Sequence, residues 1–242
     1  MAAPFVIGHA AAGGEAPANT LAGVRACLQA AAEAMEIDVQ LSADGVPVLM
    51  HDTTVDRTTN LKGPVRSLTV EQLAGADAGH GEPVPTLDQV LDAVSGRLTV
   101  MCELKATPGS PDQDARLVDA VVATVERHRA HAWTAVHSFN ADIVGRARHA
   151  DQRISAAIIS PPVDGPGLEA LLLRVLVRNA QAISIQHSCV RRELVVAAKR
   201  RQITVWTWTV DDADEWDRLR EAGVDGIITN VPGRLRAHLG SV

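Results

Sequence analysis

The chain has 242 residues, 46% hydrophobic and 21% charged, with 23 Lys and Arg against 29 Asp and Glu, a formal net charge of −6. This is the balance of a globular protein with a large core, and without a dense basic stripe it disfavours a nucleic-acid partner. No window holds 18 consecutive apolar residues, and the start "MAAPFVIGH" lacks the basic and long apolar regions of a leader, so neither secretion nor membrane spanning is expected.

Read in chain order, β-type runs lie at 4–9, 35–42, 46–52, 97–105, 133–139, 153–160, 182–187, 203–210 and 226–229. Helical periodicity fills most gaps, at 20–33, 86–94, 113–130, 140–149, 165–178, 190–201 and 211–222, with Thr86 placed to cap the second of these. Strands alternating with helices over this length predict an α/β fold, a (β/α)8 TIM barrel forming a single domain over residues 1–242. A doubly wound open sheet is the rival, but "HAAAGG" after the first run is not the Gly-rich phosphate turn such sheets usually carry. Residues of about 46–85 interrupt the alternation with a short strand and a polar stretch, which reads as an insertion over one end of the barrel.

Ionisable residues fall on the strands in a pattern. In "MEIDV" the strand alternation turns Glu36 and Asp38 to one face and Met35, Ile37 and Val39 to the other. Glu103 and Lys105 in "CELK" repeat that spacing near the C-terminal end of a barrel strand, where barrels of this type carry their chemistry. His9 and His51 close two further strands. Three carboxylates offer the hard oxygen ligands that Mg2+ or Ca2+ takes, and such a cation can hold a phosphoryl oxygen. Two imidazoles could divide the proton work, one deprotonating the nucleophile and the other protonating the departing alkoxide, which is phosphodiester chemistry.

Other residues have plainer readings. Cys27, Cys102 and Cys189 are odd in number and widely spaced, forming neither a disulfide framework nor a zinc site, which suits a reducing cytoplasm. Of Trp206 and Trp208, one is expected to pack the core and Trp208 to wall a pocket. His80, His128, His131, His137, His149, His187 and His238 read as structural or exposed, with His137 at the end of "WTAVH" the one to watch.

The segments "HAAAGGEAPANT", "EIDVQLSADGVPVLMHDTTVDRTTN", "VPTLDQVL", "ELK", "WTV" and "GVDGIITNVP" together resemble, in order, the landmarks of the glycerophosphodiester phosphodiesterase family. The resemblance runs from residue 6 to about residue 233 and is densest from Glu36 to Asn60. It implies a TIM barrel with a small insertion after the H-D segment, Glu36, Asp38 and Glu103 as metal ligands, and His9 and His51 as the acid-base pair. It further implies Lys105 as a phosphate contact, Trp208 as the aromatic wall, and hydrolysis of a small-molecule diester to sn-glycerol 3-phosphate and an alcohol. The chain departs from the family where H-R-G reads His9-Ala10-Ala11 and P-E-N-T reads Pro17-Ala18-Asn19-Thr20. Losing the arginine and glutamate together avoids an unpaired buried charge, but it removes a phosphate clamp whose absence could slow the reaction roughly ten- to a hundredfold and leaves room beside His9. Three alternatives stay open: a lyase that makes a cyclic phosphate, a phosphodiesterase for another head group, and a binding homologue without turnover. The sequence does not fix the oligomeric state, a homodimer included.

Overall fold

A computed structural model describes residues 3–240 of the chain. Among these residues nine strands form: β1 (Phe5–Gly8), β2 (Ala34–Leu41), β3 (Pro47–Leu49), β4 (Thr99–Leu104), β5 (Thr134–Ser138), β6 (Ser155–Ser160), β7 (Ala182–Gln186), β8 (Thr204–Trp208) and β9 (Gly226–Thr229). Their order is β1-β9-β8-β7-β6-β5-β4-β2-β3, and a further parallel pairing of Ile7 with Ala34 and Gly8 with Met35 joins β1 to β2. Eight parallel strands therefore close into a (β/α)8 barrel, as the alternation predicted.

β3 is the odd strand. It pairs antiparallel with β2, Val39 opposite Leu49, and stands outside the closed ring. It is shorter than the apolar run 46–52, so His51 lies two residues past its end, and β1 likewise stops at Gly8, one residue before His9. Both histidines sit on loops just beyond strands.

The helices α1 (Leu21–Gln29), α3 (Leu87–Val94), α4 (Pro111–Arg127), α5 (Ala141–Ala150), α6 (Gly165–Val177), α7 (Arg192–Lys199) and α8 (Ala213–Ala222) connect the barrel strands. Side chains of Thr20, Thr86, Asn140, Asp164 and Asp212 cap five of them by accepting from backbone N–H groups, and Thr86 with Gln89 forms a reciprocal capping box. A terminal helix, α9 (Pro232–Gly240), lies beyond the last helical pattern read from sequence. Its sequence "PGRLRAHLG" carries few apolar residues, of which Pro232 and Leu235 are buried.

Between β3 and α3 the chain has only a 3-10 turn (Val65–Ser67) and the short helix α2 (Val70–Ala74). This segment has its own small core, built on Val48, Met50, Val55, Val65, Leu73 and Val84, separate from the main cluster. Met35, Ile37 and Val39 of β2 join the main cluster with helix residues such as Val24 and Leu91. The opposite face of β2 is thereby turned into the barrel. There Ile7, Ala34, Met101, Ala135 and Ile228 fill the interior with Trp206 against them, and Glu36 and Asp38 lie further toward the C-terminal mouth.

Candidate active site

The site starts with backbone strain. Ala10, Ala11 and Ala12 all have left-handed φ angles, of 46°, 51° and 61°, a conformation that is unfavourable by about 1–2 kcal/mol for a residue with a Cβ. The turn aims two donors at one acid: Ala10 N donates to Glu36 Oε2 at 3.0 Å and Ala11 N to the Glu36 carbonyl at 2.9 Å. Asn19, also left-handed at φ 56°, donates through Nδ2 to Asp38 Oδ2 at 2.7 Å and accepts from Asp38 N at 3.0 Å. The loop after β1 thus fixes both acids of β2.

Glu36, Asp38 and Glu103 each bring a carboxylate oxygen within 4.8 Å of the others. Lys105 Nζ lies 2.7 Å from Asp38 Oδ1 and 2.7 Å from Glu103 Oε1. One ammonium does not balance three acids. Glu36 Oε1, almost fully buried, has no hydrogen-bond partner among the described residues, and neither has either ring nitrogen of the buried His137, whose Nε2 stands 3.7 Å from it. Orphaned buried oxygen and excess negative charge fit a hard divalent cation. The two missed neighbours, Asn19 and His137, bind into this cluster, and "WTAVH" had marked the second of them.

Burial pushes the carboxyls of Glu36 and Glu103 up, and their neighbours divide them. Glu36 is held down at about 2 by its contact with His137 and by the charges of His9 and His137. Glu103 stays raised because burial and the nearby Glu36 outweigh Lys105. Burial also works against the Lys105 ammonium, but Asp38 and Glu103 lift its pKa above the ordinary value.

The imidazoles are oriented from behind. His9 Nδ1 lies 2.7 Å from Asn230 Oδ1. Asp211 accepts from Asn230 Nδ2 at 2.6 Å, from Asn230 N and from Thr229 Oγ1 at 2.8 Å each. A carboxylate only accepts, so the Asn230 amide must turn its oxygen to His9, and Nδ1 of His9 carries the proton. Its Nε2 is left facing Glu36 Oε2 at 3.9 Å. Burial disfavours the charged ring, yet Glu36 and the Asn230 bond raise the His9 pKa. At the rim, His51 Nδ1 lies 2.8 Å from Asp52 Oδ1, and Arg57 grips Asp52 through Nε at 2.6 Å and Nη2 at 3.0 Å. Those bonds, Arg57 first and His51 second, hold Asp52 at about 2. The same logic leaves Nε2 of His51 free. Gln40 of β2 ties this loop to the barrel by donating to the carbonyls of Met50 and Asp52.

One cavity of about 250 Å³ is lined by the polar groups His9, Glu36, His51, Glu103 and Lys105 together with the apolar Phe139, Trp208, Ile159 and Ile228. Trp208 donates Nε1–H to the Ser184 carbonyl at 2.9 Å and meets Phe139 edge-on at 5.8 Å between ring centres. Trp206, on the same strand face, packs the interior beneath it. Of the residues expected from sequence, only Asp38 does not line the cavity; it lies behind Lys105. Asp211 and Phe139 carry no sequence signal of their own, and Asn230 and Arg57 stand within the family segments without a role that the segments assign. Another possible metal group, Glu126, His131 and Asp151, already has Arg153 on both carboxylates.

The sequence model of the glycerophosphoryl diester phosphodiesterase family matches residues 9–234. The protein YhdW of Bacillus subtilis is 31% identical over 94% of this chain and 95% of its own length. A glycerophosphodiester phosphodiesterase of Caldanaerobacter subterraneus subsp. tengcongensis is 29% identical over 96% of each chain. Among solved structures, an Oleispira antarctica phosphodiesterase in complex with the product sn-glycerol-3-phosphate superposes with a TM-score of 0.89 at 25% identity, covering 98% of this chain and 97% of that one.

Proposed function

This chain belongs to the glycerophosphoryl diester phosphodiesterase family, a family of phosphoric diester hydrolases, and from that premise we propose that it cleaves glycerophosphodiesters to sn-glycerol 3-phosphate and an alcohol with His9 and His51 as its proton-transfer pair. What supports the reading is one observation: two imidazoles, each with Nδ1 bound from behind and Nε2 free, line the same cavity as the acid cluster. Glu36, Asp38 and Glu103 would hold a divalent cation, Mg2+ or Ca2+, whose charge, when bound, stabilises a phosphoryl oxygen.

The residues divide the remaining work. His9, deep in the mouth and held by Asn230, takes the proton of the attacking hydroxyl at Nε2. His51, with half its side chain exposed, enters the step with both ring nitrogens protonated and gives the Nε2 proton to the departing alcohol oxygen, which must leave toward solvent. Lys105 contributes positive charge for the phosphate, and Trp208 with Phe139 shields the pocket from water. Among the described residues no helix is long and apolar enough to cross a membrane, and the substrate reading is a small molecule.

The test follows phosphorus. Release of sn-glycerol 3-phosphate from glycerophosphodiesters, observed by phosphorus NMR, should stop on chelation, return with Mg2+ or Ca2+, and fall at least a hundredfold in His51→Ala. Turnover untouched by chelator and by His51→Ala overturns the mechanism. Accumulation of a cyclic phosphate instead of the monoester would make the enzyme a lyase, and metal-dependent binding of glycerol phosphate without turnover would make it a binder.

A further inference from the structure

His9 and His51 line a second cavity as well. It measures about 210 Å³ and lies between the β1–α1 loop and the inserted segment, with Ala10, Ala18, Asn19, Arg57, Thr58 and Asn230 among its walls. Small side chains keep it open: a Cβ built on Gly13 would stand 3.2 Å from the Ala18 Cβ and 3.5 Å from the Ala10 Cβ, so one residue larger at any of these three positions would close in on the space.

The geometry points to this cavity as the subsite for the alcohol arm of the diester, selective for hydroxyl-bearing arms that are uncharged or anionic. The inference rests on the hydrolase reading above and deepens it. A phosphodiester has two arms that leave phosphorus in different directions, and both cavities meet at the two imidazoles that must flank the phosphorus. Another surface cavity, beside Arg66 and Gln113, shares Lys105 with the centre but neither histidine, so an arm placed there would have no imidazole at its ester oxygen.

The lining sets the preference. Among the described residues no Asp, Glu, Phe or Trp lines the second cavity, whereas the first has Glu36, Glu103, Phe139 and Trp208. A quaternary ammonium needs carboxylates or aromatic faces, and here it finds an arginine instead. Arg57 spends Nε and Nη2 on Asp52, while Nη1 has no hydrogen bond among the described residues. With Asn19 and Thr58 it offers donors suited to hydroxyl or anionic oxygens.

Three diesters of sn-glycerol 3-phosphate test this, carrying inositol, choline or methyl as the second arm. The native protein should show kcat/KM at least tenfold higher for inositol than for choline. Ala18→Leu, checked for an intact melting transition, should lower kcat/KM for the inositol diester at least tenfold more than for the methyl diester. Choline handled as well as inositol overturns the inference while leaving the hydrolase reading intact, and so does an equal effect of Ala18→Leu on the inositol and methyl diesters. No turnover of any of the three by the metal-supplied native protein removes the hydrolase reading and the inference with it.

Discussion

Nδ1 of His9 stands 2.7 Å from Oδ1 of Asn230, and Asp211 fixes that amide by accepting from its nitrogen at 2.6 Å. The relay sets the His9 tautomer without placing a charge directly on the ring. Asn230→Ala removes the acceptor, so Nδ1 and Nε2 can exchange the proton and the ring can rotate. A hydrogen bond of this kind contributes about 1.5–3 kcal/mol when the ring becomes charged, so kcat should fall roughly ten- to a hundredfold. KM should move less than about twofold, since Asn230 acts through the proton acceptor. A loss confined to KM, in steady-state kinetics on a glycerophosphodiester, would refute the positioning role.

The division of labour proposed for the imidazoles predicts a leaving-group effect. An alkoxide needs a proton as it departs; p-nitrophenolate does not. His51→Ala should therefore cost two or more orders of magnitude on an alkyl diester but about tenfold or less on a glycerophosphoryl p-nitrophenyl ester. His9→Ala should be severe on both. Equal losses on both esters for His51→Ala would mean that His51 is not the acid.

Much of this site could be read from letters because strand geometry is local. Glu36 and Asp38 had to share a face once β2 was a strand, and Met35, Ile37 and Val39 had to meet the helices. The barrel followed from alternation alone, and so did the convergence of strand ends on one mouth. The groups that orient the histidines were silent because they depend on tertiary approach. Asn230 reaches His9 across 221 positions of sequence, only because β9 closes beside β1. Asp52 stands in the H-D pair and Arg57 in the D-R-T-T-N segment, but their grip on His51 depends on a loop that bends after β3. Strand length misled at His51, since the apolar run 46–52 continues past Leu49 to build the insertion's own core at Met50.

Lys105 holds apart two carboxylates, at 2.7 Å from each of Asp38 and Glu103. Lys105→Met keeps the stem's packing and deletes the charge. Breaking a buried ion pair on one side destabilises by about 3–5 kcal/mol, so the metal-free variant should melt well below the native protein. A divalent cation replaces the lost charge. Added Mg2+ or Ca2+ should then raise the melting temperature of Lys105→Met more than that of the native protein. Scanning calorimetry with and without chelator reads both numbers, and an equal metal-induced rise in the two proteins would contradict the prediction.

Away from the site, Asp151 predicts an acid limit to stability. Its hydrogen bonds to Arg153 hold its carboxyl at about 2, below the ordinary 3.8. A folded-state pKa lower than the unfolded one means the unfolded chain binds the proton more readily. The contribution is therefore fully present above about pH 4 and is lost as pH falls toward 2, amounting to about 1 kcal/mol once solvent screening of the exposed Arg153 is allowed for. Asp151→Asn should lower the melting temperature at pH 7 and converge on the native value near pH 2. A difference constant across that range would locate the effect in packing instead.

Gly23 tests whether the strained turn is held by the helix beneath it. In an ordinary helix Gly→Ala stabilises by about 1 kcal/mol. Here a Cβ on Gly23 would lie 1.8 Å from the Ala11 carbonyl oxygen and 3.1 Å from the Ala11 Cβ, both in the left-handed run. α1 and the turn cannot both stay in place, and overpacking of this kind is unfavourable by about 1–3 kcal/mol. Gly23→Ala should lower the melting temperature by roughly 2–12 °C, at the 2–4 °C per kcal/mol expected for a chain of this size. Gly165, at the start of α6, has nothing within 4 Å of such a Cβ, and Gly165→Ala should be neutral or mildly stabilising. Because Ala10 N and Ala11 N are the donors that hold Glu36, the Gly23 variant should also bind Mg2+ or Ca2+ more weakly, read by titration calorimetry. Native-like cation affinity in a destabilised Gly23→Ala would separate the turn from the acid cluster.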